Sequence, residues 1–377
     1  MNKIYLFTAA FAVMASLSGC SDTELASIDT AQEKTPIGFH TVGSQMGSRA
    51  TIIDNGNLKD YSFNVYALNR KDDGTDGTVF MGTEDTGQGN GGVNISYQDG
   101  KWNYTKPADL KYWPNDALNF YAVSPVSDIN LYTWQITPNT KEISYMSGDE
   151  YGDGTFPYID VMYAIATDKR KADNGGTVKL QFKHITSQVV FMAKKKLPNM
   201  VVEIKSIKLH NFETSSVFTI PKNGTDPQQS SWDHKPLTNN KGFTVINIGD
   251  DDPKITIGTE ATDISTRTPM FLIPQQLTEW NTSHDIGTAN TNKESYLSIE
   301  CKISIDDDYK VGSESGYDIL YVPFGADWQP GKRYVYTLIF GGGYDGQGKP
   351  ILTSIKFEPS VEDWPTDENS DNSEIDL

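Results

Sequence analysis

Cysteine is nearly missing from this sequence. Cys20 and Cys301 are the only two in 377 residues, and their surroundings differ too much to suggest a pair. The expectation is therefore a fold held by its core and not by disulfides. Positive charge is also short: 32 Lys and Arg face 50 Asp and Glu, a formal net charge of −18. That balance argues against nucleic acid or anionic lipid headgroups as partners through net charge. Beyond Cys20 no apolar run is long enough to cross a bilayer as a helix. No amphipathic helix of about twelve residues or more stands out. The five histidines form no H-E-x-x-H pair, and no G-x-S-x-G elbow is present. These absences remove the zinc-protease and serine-hydrolase readings, and no catalytic, metal or cofactor site is expected.

What is present begins at the N-terminus. Lys3 and the short apolar stretch from Ile4 to Ala15 read as an export signal. Leu17-Ser18-Gly19-Cys20 has the form of a lipobox, in which small residues precede a cysteine that takes a diacylglycerol. The expected organisation is a signal over 1–19 and an acidic tether over 20–35. Lipid on Cys20, palmitate among its chains, would then hold the body on the membrane surface.

After Lys34 the pattern is period two. Tyr61, Phe63, Val65 and Ala67 share a face, as do Leu118, Phe120 and Ala122. Val178, Leu180 and Phe182 form a third such row, and Tyr334, Tyr336, Leu338 and Phe340 a fourth. In "LSIECKISI" Cys301 lies on the same face as Ile299, Ile303 and Ile305, which makes it a buried small hydrophobe. Turn clusters such as "RKDDGTDGT" and "GGGYDGQGKP" separate the runs. Many short strands predict antiparallel β-sandwiches, and the chain is too long for one. The polar stretch Ala166–Thr177 is the expected boundary, giving an N-terminal sandwich over 36–170, a C-terminal one over 171–364 and an acidic tail over 365–377.

Several motifs read as structure. "GQGNGG" fits G-x-G-x-x-G at Gly87, Gly89 and Gly92 but opens no predicted helix, so it is a hairpin loop. "DDGTDG" from Asp72 imitates the start of a calcium loop, but Thr83 stands where the bidentate glutamate belongs. The seven tryptophans are expected in cores and corners more often than on sugars. His184 is expected to be a hydrogen-bonded structural histidine.

Taken together and in order, the lipobox, "IGFHT", "GSRAT", "YWPNDALNFYAVSP", "LQFKHITSQVVFMA", "FLIPQQL", "WQPGKRYVYTLIF" and "SIKFEPSVEDW" resemble fimbrillin-like proteins. These are the subunits of the type V pili of Bacteroides-type bacteria. The resemblance implies transthyretin-like sandwiches, delivery to the outer-membrane surface as a lipoprotein, and strand exchange with other pilus subunits in a fimbrium. Asp22 and Glu24 resemble the surface-export signal of such lipoproteins.

The resemblance also implies maturation by an arginine-specific protease, and the sequence offers Arg49 followed by Ala50 in the Gly- and Ser-rich "VGSQMGSRATIID". Cutting there would release Ile37 and Phe39, which share one face of the first strand. The alternative is an ordinary loop arginine. Near the other end Ile351, Ile355 and Phe357 form one apolar row. That row fits either a strand donated to a neighbour or the last strand of the chain's own C-terminal domain. A surface lipoprotein that binds glycans or host ligands without polymerising is the competing function.

Overall fold

A computed structural model describes residues 34–42, 53, 57–83, 91–126, 132–147, 159–235, 243–248, 255, 257–264, 270–341, 343–344, 347, 350–352 and 356–363, with 42, 223, 343–344 and the last two segments as backbone. The fold is almost entirely β. The described residues from Thr35 onward belong to one compact unit.

The first half is built on a seven-stranded sheet. Its order is β11 (Lys183–His184), β9 (Met162–Lys169), β6 (Leu118–Ser124), β2 (Phe63–Arg70), β4 (Val93–Gln98) and β5 (Lys101–Tyr104), with β3 (Asp76–Met81) also on β2. The sheet is covered on both faces. On one face lies a parallel ribbon of β1 (Gly38–Val42) and β10 (Thr177–Gln181). On the other lies a three-stranded sheet of β7 (Tyr132–Ile136), β8 (Lys141–Met146) and β14 (Ser215–Thr219).

This layering explains the central strands. Phe63, Val65 and Ala67 of β2 enter the first core with Leu118, Phe120 and Ala122 of β6. The residues between them, Tyr66, Leu68, Tyr121 and Val123, enter a second core on the opposite face. A strand covered on both sides has no solvent face, so its apolar residues run together.

The second half has two sheets that share a third core. One runs β16 (Thr262–Asp263), β12 (Ser187–Lys195), β23 (Lys332–Phe340) and β26 (Lys356–Asp363), with β17 (Met270–Leu272) also on β12. The other runs β15 (Phe243–Asn247), β13 (Met200–His210), β19 (Tyr296–Ile305), β21 (Asp318–Pro323), β24 (Gly343–Tyr344) and β25 (Pro350–Leu352), with β20 (Asp308–Val311) on β19. Val189, Phe191, Tyr334, Tyr336 and Leu338 from the first meet Ile204, Ile299, Cys301 and Leu320 from the second. A short pair, β18 (Gln276–Leu277) with β22 (Ala326–Asp327), completes the strands. Pairing is antiparallel except β1 with β10 and β12 with β23, which are parallel.

The stretch Ala166–Thr177 holds the end of β9 and a 3-10 turn at Asp173–Gly176, and it runs straight into β10. Val178, Leu180 and Phe182 lie in the first core and Ile185 in the second. The third core begins at Val189. The passage between cores therefore falls after the stretch expected to mark it.

Two turns show how local chemistry sets the register. Asp99 and Gly100 have φ of +53° and +81° between paired Gln98 and Lys101, which is the two-residue hairpin that Asp-Gly favours. Asp306 and Asp307 adopt φ of +52° and +62° between paired Ile305 and Asp308. Part of the acidic run there is thus a hairpin turn. Among the described residues one α-helix occurs, α1 (Ile286–Asn292), capped by Asp285, whose carboxylate accepts the Thr288 N–H at 2.7 Å.

Candidate functional site

The seat of β1 is the place where the expected release of the first strand can be read. Alternation turns Ile37 and Phe39 inward, 1% and 7% exposed, and leaves His40 exposed. The Phe39 ring sits 6.0 Å from Phe63, 5.9 Å from Tyr104 and 6.3 Å from Phe120, centroid to centroid. Its backbone runs parallel to β10, with Gly38 opposite Thr177 and Thr41 opposite Leu180.

Only one edge of β1 is a sheet edge shared with another described strand. Along its approach the chain is tied at single points. The Ile37 N–H donates to the Lys111 carbonyl at 2.9 Å, and the Trp113 N–H to the Thr35 carbonyl at 3.1 Å. The Tyr104 hydroxyl donates to the Ile37 carbonyl at 3.0 Å, and burial pushes its pKa well above the ordinary phenol value.

Gly176 closes the end of the seat. Its φ is +88°, and a Cβ there would stand 2.9 Å from Thr35 Cγ2 and 3.1 Å from Trp113 Nε1. The same indole donates to the Gly176 carbonyl at 2.7 Å. Backbone and indole approach so closely that only glycine fits.

The chain is fixed again at Ile53. That side chain is 1% exposed in the first core. Its N–H donates to Asp160 Oδ2 at 3.0 Å. Asp160 Oδ1 lies 2.7 Å from His184 Nδ1, and both side chains are buried. His184 is thus the structural histidine that the sequence suggested. Its tie to Ile53 was not foreseen, because Asp160 in "YIDVMYA" is one acid among many in an acidic chain.

Arg49 and Ala50 fall between the two fixed points and lie outside the described residues, as do Cys20 and Ile355. Ile351 lies in β25, which pairs with β24. Phe357 lies in β26, opposite Leu338 of β23. The candidate donor segment is thus paired within its own chain, β25 at the edge of one sheet of the second half and β26 at the edge of the other.

The remaining candidates are structural. Trp134, Trp232, Trp280 and Trp328 are buried and Trp102 and Trp113 half-buried. Buried indoles find partners: Trp134 donates to the Tyr66 hydroxyl at 2.8 Å and Trp328 to the Tyr336 hydroxyl at 2.9 Å. Trp364, Gly87 and Gly89 lie outside the described residues. At Gly92 a Cβ would stand 2.8 Å from the Tyr66 ring, so its need for glycine is a packing need. In the "DDGTDG" turn Asp73 accepts from the Thr75 N–H and hydroxyl at 2.9 and 2.6 Å. No group of three possible metal ligands occurs among the described residues. The Cys301 thiol is fully buried and pushed up to about 12 by burial, with the Asp318 and Glu300 carboxylates adding to the shift. It stays protonated and is a poor nucleophile.

A family model described as fimbrillin-like matches residues 48–364. No curated protein matches the chain. A crystal structure of a fimbrial protein from Bacteroides vulgatus aligns at 14% identity over 87% of this chain and 99% of its own, with a TM-score of 0.56. It shares the fold. The tip fimbrial protein Mfa3 from Porphyromonas gingivalis, truncated at its C-terminus, aligns at 8% identity over 81% of this chain and 94% of its own, with a TM-score of 0.37.

Proposed function

Since the chain belongs to the fimbrillin-like family, we propose that it is a subunit of a cell-surface fimbrium that serves adhesion. It is a structural protein and not an enzyme. In this reading it is exported as a lipoprotein, held at the outer membrane through lipid on Cys20, cut between Arg49 and Ala50, and assembled by strand exchange with other pilus subunits.

One observation carries the proposal: the proposed cut lies between a strand with one strand neighbour and a residue pinned in the core. Ile37 and Phe39 belong to the part that leaves. Ile53, bonded to Asp160, belongs to the part that stays. Burying two large apolar side chains is worth roughly 3–6 kcal/mol. A body that loses β1 therefore exposes Phe63, Tyr104 and Phe120 and the bare edge of β10. That is an apolar groove beside an open strand edge, which favours a replacement strand from a neighbour.

Limited trypsin digestion of the folded chain tests this. The expected result is early cleavage after Arg49, followed by oligomers that survive unboiled detergent electrophoresis. An Arg49→Ala variant that polymerises as well as the wild type would remove the mechanism.

A further inference from the structure

Besides the β1 seat, the first half carries a cleft at the open end of the gap between the seven-stranded sheet and the β7–β8–β14 layer. Its volume is about 610 Å³, within the roughly 300–1,000 Å³ usual for small-ligand sites. Residues from the ends of β2, β6 and β9, from the β2–β3 and β7–β8 turns and from the segment after β14 meet there. We propose that this cleft binds an acidic saccharide, holding its carboxylate or sulfate groups with Arg70, Lys71, Lys141 and Lys222. The proposal rests on the surface-adhesin reading above for its setting, and it names the class of ligand.

Charge points to an anion. The lining holds those four cationic side chains against two carboxylates, Asp76 and Asp168, in a chain whose formal net charge is −18. A local excess of positive charge inside an acidic surface focuses small anions into the cleft.

Two of the cations, Lys141 and Arg70, are also held in place. Asp76, with its side chain 9% exposed, accepts from Asn119 Nδ2 and from the Tyr121 hydroxyl, each at 2.8 Å. Lys141 Nζ lies 2.5 Å from the same carboxylate. Three donors fix the carboxylate, and the carboxylate fixes the ammonium. Arg70 is braced by Asp168, Nε to Oδ1 at 3.3 Å, and by Nη1 donating to the Lys71 carbonyl at 3.2 Å. A site ordered before binding loses little side-chain freedom on binding.

The rest of the lining suits a sugar. Pro138 and Pro221 offer apolar patches for ring C–H groups, between neutral polar Thr75, Asn139 and Thr167. The described lining offers no open aromatic face on which a nucleotide base could stack. The aromatic in this lining, Tyr121, is 9% exposed, and Lys141 Nζ covers its ring 5.2 Å from the centroid.

Titration calorimetry on the full chain decides the matter, with trigalacturonate as the carboxylated probe, a heparin tetrasaccharide as the sulfated one and maltotriose as the neutral control. Lys71 and Lys222 are exposed, so the Lys71→Glu/Lys222→Glu double variant should fold, and an unchanged thermal midpoint checks that. The expected result is binding of one or both acidic probes, none of maltotriose, weakening with added salt, and at least a tenfold loss of affinity in the double variant. The acidic probe that binds identifies the charged group. Absence of heat with both acidic probes at millimolar concentration overturns the proposal. So does equal binding of maltotriose, or an affinity that the double variant leaves unchanged. Neither substitution touches Arg49 or β1, so failure to bind and failure to polymerise are scored separately.

Discussion

At the scale of single residues, Phe39 is where stability and maturation meet. Its ring is buried against three aromatic rings of the first core. Truncating such a side chain costs about 3–5 kcal/mol. Phe39→Ala should therefore lower the stability of the uncut chain by an amount of that order in urea denaturation. If Arg49 is the release point, Phe39 is absent from the body that begins at Ala50. Bodies cut from wild-type and Phe39→Ala chains should then be equally stable, and a difference between them would mean that β1 stays in place. The inward face of Ile37 and Phe39 was legible from alternation alone. Gly176 and Tyr104, which complete the seat, and Asp160, which pins Ile53, were not. Each acts through the fold, by a close approach, a hydroxyl reaching a distant carbonyl or a carboxylate meeting a distant N–H, and none has a local pattern to betray it.

Among the elements, β26 carries the sharpest question. It pairs with β23 from Lys332 opposite Asp363 to Ile339 opposite Lys356. Deleting residues 350–377 should bare the edge of β23, and an exposed strand edge invites association. The expected product is a destabilised, aggregating chain in light scattering and thermal melts. A well-folded monomer that merely fails to polymerise would instead assign the segment to donation.

The alternating rows of β2, β6, β10, β19 and β23 were legible, because a buried face writes itself at period two. The partners of those rows were not. The parallel pairing of β12 with β23, and of β1 with β10, joins strands far apart in sequence, and pairing depends on neighbours in space more than on any intrinsic preference. The helix α1, at seven residues, spans too few turns to show a 3.6-residue repeat.

For the whole molecule, the halves are interleaved. β14 pairs with β8, Phe218 opposite Ile143. Phe218, Ile220 and Trp232 fill the second core against Tyr66, Tyr121 and Tyr163. A chain ending at Thr186 keeps every strand of the seven-stranded sheet but lacks the segment that helps to cover its second face. Such a fragment should bind the dye ANS and lack a cooperative melt, whereas an independently folded fragment would show that β14 is dispensable.

The return of β14 also sets a timetable. Every chain is made from its N-terminus, so β2, β6 and β9 exist well before the residues that finish their back face. Until Trp232 has been made, the aromatic rows of that face stay wet and open to wrong partners. The first strand waits too, since β10 is made long after it. Early-made strands of this protein thus wait for later-made partners, and a pause in synthesis before Trp232 would do them more harm than one after.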